Sequence, residues 1–470
     1  MKSVTKNATV LLSALGLFAL SGAAMATNGY FTHGVGTESK GMAGTGVGSD
    51  AVKGPIIIAS NPALGVFASD SWEVGLSAFS PMRSFKADPS FVNGSFGAFS
   101  LGAGSYDSSS EWFPIPYVAK NWRLGNGNAI SAAFYGRGGM NTDWDDSDLV
   151  AYFDPFGQGG MGQPFPGLYG AGDAGVDLSQ AFLAINYAGK AGENFAWGLG
   201  PVFAVQVFEA TGVGSFAGFT KTFAECALAG FQGCDPNPTS LTNNGHELST
   251  GFGGAAGIWW AMGDAVGVGI SYTSKISMSE LDDYSDLFAD DGGFDIPASA
   301  KFGISFAGSN NVRLNLDVEF IEYSDIGSVG NPMTNLFDCP TAGAGGMDLE
   351  SCLGGSRGGG FGWEDMTIYK LGMEWTASDT MTWRAGYSYG EQPIQAASAT
   401  FNILAPGVME QHITFGLSKS KPNGGTWNFS LMYAPENTVN GYNAFDGPGE
   451  TGQGIELTMS QFEFEVSYLW

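Results

Sequence analysis

The stretch Met459-Ser-Gln-Phe-Glu-Phe-Glu-Val-Ser-Tyr-Leu-Trp470 closes the chain and decides how the rest is read. Phe462, Phe464, Val466, Tyr468 and Trp470 share one parity, and Gln461, Glu463, Glu465 and Ser467 share the other. Successive side chains of a strand point to opposite faces, so one face is greasy and the other polar. The greasy face is aromatic, and the strand ends on an aromatic residue. That pattern matches the strands of transmembrane β-barrels, which turn apolar residues to lipid and polar ones to the lumen.

The same beat runs back through the chain. Alternating stretches fall near 71–81, 113–124, 128–138, 177–189, 195–208, 249–261 and 264–275. They continue near 298–307, 312–323, 363–376, 380–390, 409–420, 426–436 and 459–470. Short Gly- and Asn-rich turns such as Gly125-Asn126-Gly127 and Gly308–Asn311 alternate with long connections. Such turns close hairpins, and short turns at one end with long loops at the other are typical of outer-membrane barrels. The expected fold is an all-β, 14-stranded antiparallel transmembrane β-barrel over residues 71–470.

The faces assign the lumen. Val312, Leu314, Leu316, Val318 and Phe320 oppose Arg313, Asn315, Asp317 and Glu319. A charge directed at lipid costs several kcal/mol near the midplane, so the polar parity faces inward. Lys301, Arg313, Asp317, Glu319, Lys370, Glu374, Arg384, Glu463 and Glu465 therefore belong to the lumen. A barrel of this size is open unless something fills it. Residues 27–70 precede the first strand and carry the apolar Ile56-Ile57-Ile58 and Leu64–Phe67 runs, which suit an N-terminal hatch inside the lumen better than a loose tail.

Residues 1–26 read as an export signal: Lys2 and Lys6, an apolar core from Val10 to Leu20, then Ala24-Met25-Ala26. The expected location is the bacterial outer membrane, crossed many times by strands. Net charge is −27 with no Lys/Arg run, which argues against a nucleic-acid partner. Mean hydropathy is +0.02, and the best helical candidate, Gly251–Ser271, holds seven Gly and Asp264, so no spanning helix is expected. The four cysteines fall in two close pairs, and the shortest loop closures join Cys226 to Cys234 and Cys339 to Cys352. Export to an oxidising compartment suits both disulfides.

The loops are apolar for water-facing chain. Phe153, Phe156 and Phe165 lie in one; Phe216, Phe219 and Phe223 recur at helical spacing in another. Apolar patches of this kind mark ligand capture, or else the loops pack on one another. The inward Lys301, Arg313, Lys370 and Arg384 are candidates for holding a ligand carboxylate, or else they pair with lumen acids. Acid runs at Asp143–Asp148 and Asp282–Asp295 lack EF-type spacing, and no metal or cofactor is expected. His33, His246 and His412 stand near no nucleophile motif, so no enzyme activity is expected.

Further motifs carry a resemblance. Gly29-Tyr30-Phe31, Gly41-Met42-Ala43-Gly44-Thr45-Gly46, Asp50 and Asn61-Pro62-Ala63 occur in order before the first strand. Ile296-Pro297-Ala298-Ser299, Trp363-Glu364-Asp365, Arg384-Ala385-Gly386-Tyr387 and Thr400-Phe401-Asn402-Ile403-Leu404-Ala405-Pro406, with Glu410 and His412, follow. The ordered set resembles the FadL/TodX family of outer-membrane transporters of long-chain fatty acids and hydrocarbons. The resemblance implies loop capture of a hydrophobic small molecule, an internal pocket, and lateral exit at a kinked third strand. Here that strand holds Gly136, Gly138 and Gly139, which permit a break in the ladder. Tyr30, Phe31, Asn61, Pro62 and Ala63 become hatch and gating candidates; Asn61 either shapes the turn or bonds hatch to wall. The expected partners are outer-membrane lipid, lipopolysaccharide and the barrel-assembly machinery, around a monomer. A general porin, or a structural or adhesive surface barrel, is the competing reading.

Overall fold

The computed structural model describes residues 27–154, 160–308, 311–422, 424–447 and 452–470. The signal expected at 1–26 and Phe156 lie outside them. Fourteen long antiparallel strands form the wall: β1 Trp72–Ala87, β2 Phe113–Arg123, β3 Ala129–Trp144, β4 Ala174–Lys190, β5 Phe195–Thr211, β6 Glu247–Ala261 and β7 Val266–Thr273. The ring continues with β8 Ser299–Ala307, β9 Val312–Ile321, β10 Met366–Ser378, β11 Met381–Gly390, β12 Gln411–Ser420, β13 Thr426–Tyr442 and β14 Gly454–Leu469.

Each strand pairs with the next in sequence, and β1 pairs with β14 from Glu73↔Leu469 to Ala87↔Ile455. The last strand therefore shuts the barrel and leaves no open edge in lipid, where an unpaired backbone group has no partner. Two short strands, Gly104–Asp107 and Ser277–Met278, extend the same sheet, and Phe99–Leu101, Val150–Phe153 and Gln163–Pro166 form a small sheet within the loops.

The alternation is borne out on both faces. Leu314, Leu316, Tyr369, Leu371, Leu431, Phe462 and Phe464 are exposed on the outer wall, whereas Asp317, Glu319, Lys370, Arg384, Glu463 and Glu465 are buried inside. Trp122, Trp260, Trp375, Trp383, Trp427 and Trp470 are exposed near the short-turn end or the chain terminus. They form the aromatic girdle of one membrane interface, where the ring is buried and the indole N–H stays wet.

Several strands outrun their expected ends. β1 reaches Ala87, β3 reaches Trp144 and β13 reaches Tyr442. These extensions lie toward the long loops; on β1 and β13 their outward side chains, such as Lys86, Glu436 and Asn440, are exposed and polar, so the apolar face that lipid requires has ended there. Both disulfides form as expected, Cys226 to Cys234 and Cys339 to Cys352. The helix Lys221–Leu228, capped by Thr220, packs Ala224 against the second of them.

Leu316 stands near the middle of β9 on the lipid face and is 48% exposed in the absence of lipid. Leu316→Arg should lower the unfolding free energy of the membrane-inserted barrel by about 2–4 kcal/mol, with Leu316→Met close to wild type. Urea titration in liposomes measures both, and an unchanged midpoint for Leu316→Arg would contradict the assigned face.

Candidate functional site

Residues 27–70 run inside the ring and touch the wall on several sides. The Lys40 ammonium meets the carboxylates of Glu463 and Glu465 on β14, the second at 2.6 Å. Burial alone would lower its pKa; the two carboxylates more than offset this and hold it raised. The Thr37 hydroxyl donates to Glu465 at 2.8 Å, and Arg384 on β11 reaches Glu38 at 3.2 Å. Opposite them, the Asp317 carboxylate accepts the amides of Gly46 and Val47 at 2.8 and 3.0 Å. The Trp259 indole donates to the Gly48 carbonyl at 2.9 Å. The Asn61 amide donates to Val47 O at 2.9 Å and to Ile258 O on β6 at 3.0 Å, and its oxygen caps the amide of Ala63, so it both shapes the turn and bonds the segment to the wall. Backbone lies directly on backbone in places. A Cβ added to Gly41 would stand 2.9 Å from the Cα of Gly416.

The wall is interrupted beside this segment. The β2–β3 ladder ends at Tyr117↔Tyr135, and the β3–β4 register shifts between Gly136 and Gly138. The segment occupies the break: Thr32 N–H donates to Arg137 O at 2.9 Å and Gly139 N–H to Tyr30 O at 3.0 Å. A Cβ at Gly138 would lie 2.1 Å from the Gln180 amide oxygen and 3.2 Å from the Tyr30 ring, so the Gln180 side chain would have to move. Tyr30 packs on Phe31, Tyr323 and Trp363 at 5.1, 5.1 and 5.9 Å, and the Arg137 guanidinium sits 4.5 Å over Phe31. The expected gating residues Tyr30, Phe31, Gly136, Gly138 and Gly139 thus come together at one place.

Above this plug is an apolar cavity lined by Val176, Phe208, Phe216, Phe288, Phe361 and Leu404 among others. A wider groove opens among the outer loops, lined by Phe96, Phe99, Phe219, Phe337 and Phe445. The Phe216 ring stands between them, 5.6 Å from Phe99, 5.2 Å from Phe401 and 5.8 Å from Phe445. The arrangement is a greasy route from the loops toward the lumen with one aromatic constriction.

Residues 159–407 match the family model described as outer membrane protein transport protein (OMPP1/FadL/TodX). The chain belongs to this family. The FadL/TodX family comprises outer-membrane transport proteins, so the fourteen strands are a multi-pass outer-membrane barrel. Solved structures share the fold at low identity. The Pseudomonas putida toluene transporter TodX is 16% identical with TM-score 0.60, over 94% of this chain and 99% of TodX. A Pseudomonas aeruginosa FadL homologue gives 16% and 0.59 over 94% and 99%, and the Ralstonia pickettii toluene transporter TbuX gives 15% and 0.53 over 92% and 98%. No curated protein sequence matches the chain.

Within this FadL/TodX barrel the capture candidates divide. Phe216 and Phe219 line the route, and Phe153 stacks on Phe165 at 4.2 Å in the loop sheet. Phe223 instead packs on Phe231, away from either lining. The carboxylate candidates are engaged elsewhere. Lys301 and Lys370 meet Glu319 at 3.3 and 2.6 Å, Arg384 meets Glu374 at 2.8 Å, and Arg313 meets Asp50 at 3.2 Å. None of the four lines the cavity. Phe208 and Phe445 were not singled out by sequence, and Phe401 only within a family motif, because they reach the route from positions far apart in the chain.

His33 is buried in the segment and stacks on His412 at 5.7 Å. Burial first, then the Lys40 and Lys370 ammonium groups, hold its pKa well below 6.5. A base depressed in the docked state stabilises docking above its free value, and that contribution fades as pH falls below about 6.5. Glu38, raised by burial, acts in the opposite sense, so the comparison must isolate His33. Hydrogen exchange of residues 30–45, corrected for intrinsic rate, should accelerate between pH 7.5 and 5.5 more in wild type than in His33→Gln. Equal pH dependence in the two proteins would contradict the imidazole's role.

Proposed function

We propose that this protein is an uptake channel that admits hydrophobic compounds, long-chain fatty acids or related hydrocarbons, across the outer membrane by diffusion. The observation that carries this reading is the aromatic route from the loop groove past Phe216 to the enclosed cavity. The outer groove captures the ligand through the hydrophobic effect, which yields about 0.8 kcal/mol per CH₂ removed from water. Passage of Phe216 delivers it to the cavity. Residues 27–70 act as a hatch, and local movement of Tyr30–Thr32 frees the break beside β3 for lateral exit.

Phe153, Phe165, Phe216 and Phe219 are the capture residues in this account. Asn61, Pro62 and Ala63 hold the hatch to the wall. The similar structures include two toluene transporters and a FadL homologue, which agrees with a hydrophobic cargo. Residues 1–26 are assigned as the export signal. The chain is taken to act as a monomer set in outer-membrane lipid and lipopolysaccharide after insertion by the barrel-assembly machinery, and no catalytic role is assigned to it.

Ala210 is buried on the cavity wall, where an indole would occupy the space a ligand needs. In a strain lacking the protein, the wild-type gene should restore energy-independent uptake of a radiolabelled alkane or long-chain acid. Ala210→Trp, inserted at equal level, should fall to the background of the deletion strain. Full uptake by Ala210→Trp would exclude the cavity from the route.

A further inference from the structure

The seven long connections between strands hold three Lys and Arg residues in all, Lys221, Lys275 and Arg357, and each connection holds at least two acids. All three cations are taken. Lys221 meets Glu350 at 3.0 Å, Lys275 meets Asp295 at 3.2 Å, and Arg357 meets Asp348. Two cations at the outer end of β1 are taken as well. Lys86 lies 2.7 Å from Glu456, and the Arg83 terminal nitrogens donate to the carbonyls of Asn141 and Ser110. His246 sits between Asp177 and Glu209 at 3.0 and 3.1 Å. The acids meanwhile cluster, with Asp145, Asp146 and Asp148 in one connection and Asp282, Asp283, Asp290 and Asp291 in another. One sign of charge spread over a surface sets up a field that reaches beyond single contacts.

The route beneath these loops carries no charge. Among the described residues, neither the groove nor the cavity is lined by an Asp, Glu, Lys, Arg or His side chain. The one hydroxyl on the cavity wall, that of Ser328, already donates to Gly293 O at 2.5 Å and accepts from the Ala289 N–H at 3.0 Å. At the groove, Phe337 and Phe445 are each followed in the chain by an acid, Asp338 and Asp446. A carboxylate carried into the cavity would lose its water and gain no donor, which is costly for an ion. A carboxylate left in the groove would face the loop acids without a free cation.

We propose that this channel selects by charge: the acidic loops and the uncharged route admit neutral molecules rich in hydrocarbon and turn carboxylates away. The inference rests on the uptake reading and narrows its cargo, because the ionised form of a long-chain acid is rejected. Tail burial contributes the same per CH₂ to an acid and to its ester, so the head group alone decides between them. The rival arrangement leaves the head in bulk water beyond the loops, and charge then makes no difference.

Equilibrium dialysis of oleate and methyl oleate against full-length protein in non-ionic detergent separates the two. It is run at alkaline pH, with each affinity referred to protein-free micelles. Wild-type protein in low salt should bind the ester at least about tenfold more tightly than the acid. Added salt should narrow the gap, because it screens the loop acids. Ala98→Lys sets an ammonium on the groove wall and should tighten oleate about threefold to fivefold, with methyl oleate unchanged. Equal affinity of wild type for acid and ester, or an Ala98→Lys protein that binds oleate no better, overturns selection by charge and leaves the uptake reading standing. Failure of wild-type protein to bind either ligand overturns the uptake reading and the selection with it.

Discussion

A charge cannot face the hydrocarbon of a membrane at modest cost, and the rest of this structure follows from that constraint. Fourteen strands turn their polar parity inward, which places Asp317, Glu319, Glu374, Glu463 and Glu465 in a lumen that residues 27–70 fill, so that all five are buried. Buried carboxylates need cations or amide donors. The wall supplies some through Lys301, Lys370 and Arg384. The N-terminal segment supplies the rest through Lys40 and the amides of Gly46 and Val47. The wall is therefore electrostatically incomplete without the segment, and the segment has no comparable set of partners elsewhere. Removing one member of such a buried pair typically costs about 3–5 kcal/mol.

The same segment answers a second deficit. β3 parts from β2 after Tyr135, leaving backbone groups that lipid cannot satisfy. The Thr32 N–H and the Tyr30 carbonyl take up Arg137 and Gly139. Plug and window are thus one piece of chain, and motion of one alters the other. The apolar cavity abuts this place through Val176, while the outer groove feeds it past Phe216. In the proposed route, capture, holding and exit fall along a single line of contacts rather than across separate domains.

The strands were legible because alternation is enforced wherever one face meets lipid and the other a polar lumen. The readings failed where that enforcement lapses. β1 and β3 extend to Ala87 and Trp144 beyond the apolar outer face, and no change of parity marks where they stop. Lumen charges could be assigned from parity, but their pairing could not, since Glu319 draws Arg137, Lys301 and Lys370 from three strands. The helical spacing of Phe216, Phe219 and Phe223 suggested one greasy stripe. In the structure a turn over Gly214–Phe219 precedes the helix Lys221–Leu228, which rotates Phe223 away from the route.

The central claim is that the pairing of Lys40 with Glu463 and Glu465 keeps the lumen closed. Single-channel conductance of Lys40→Met in planar bilayers tests it most directly. Wild-type protein should be nearly silent, and Lys40→Met should show frequent ion-conducting openings. The added changes Glu463→Gln and Glu465→Gln should suppress those openings, because neutral side chains no longer call for a cation. A Lys40→Met channel as silent as wild type would contradict the account.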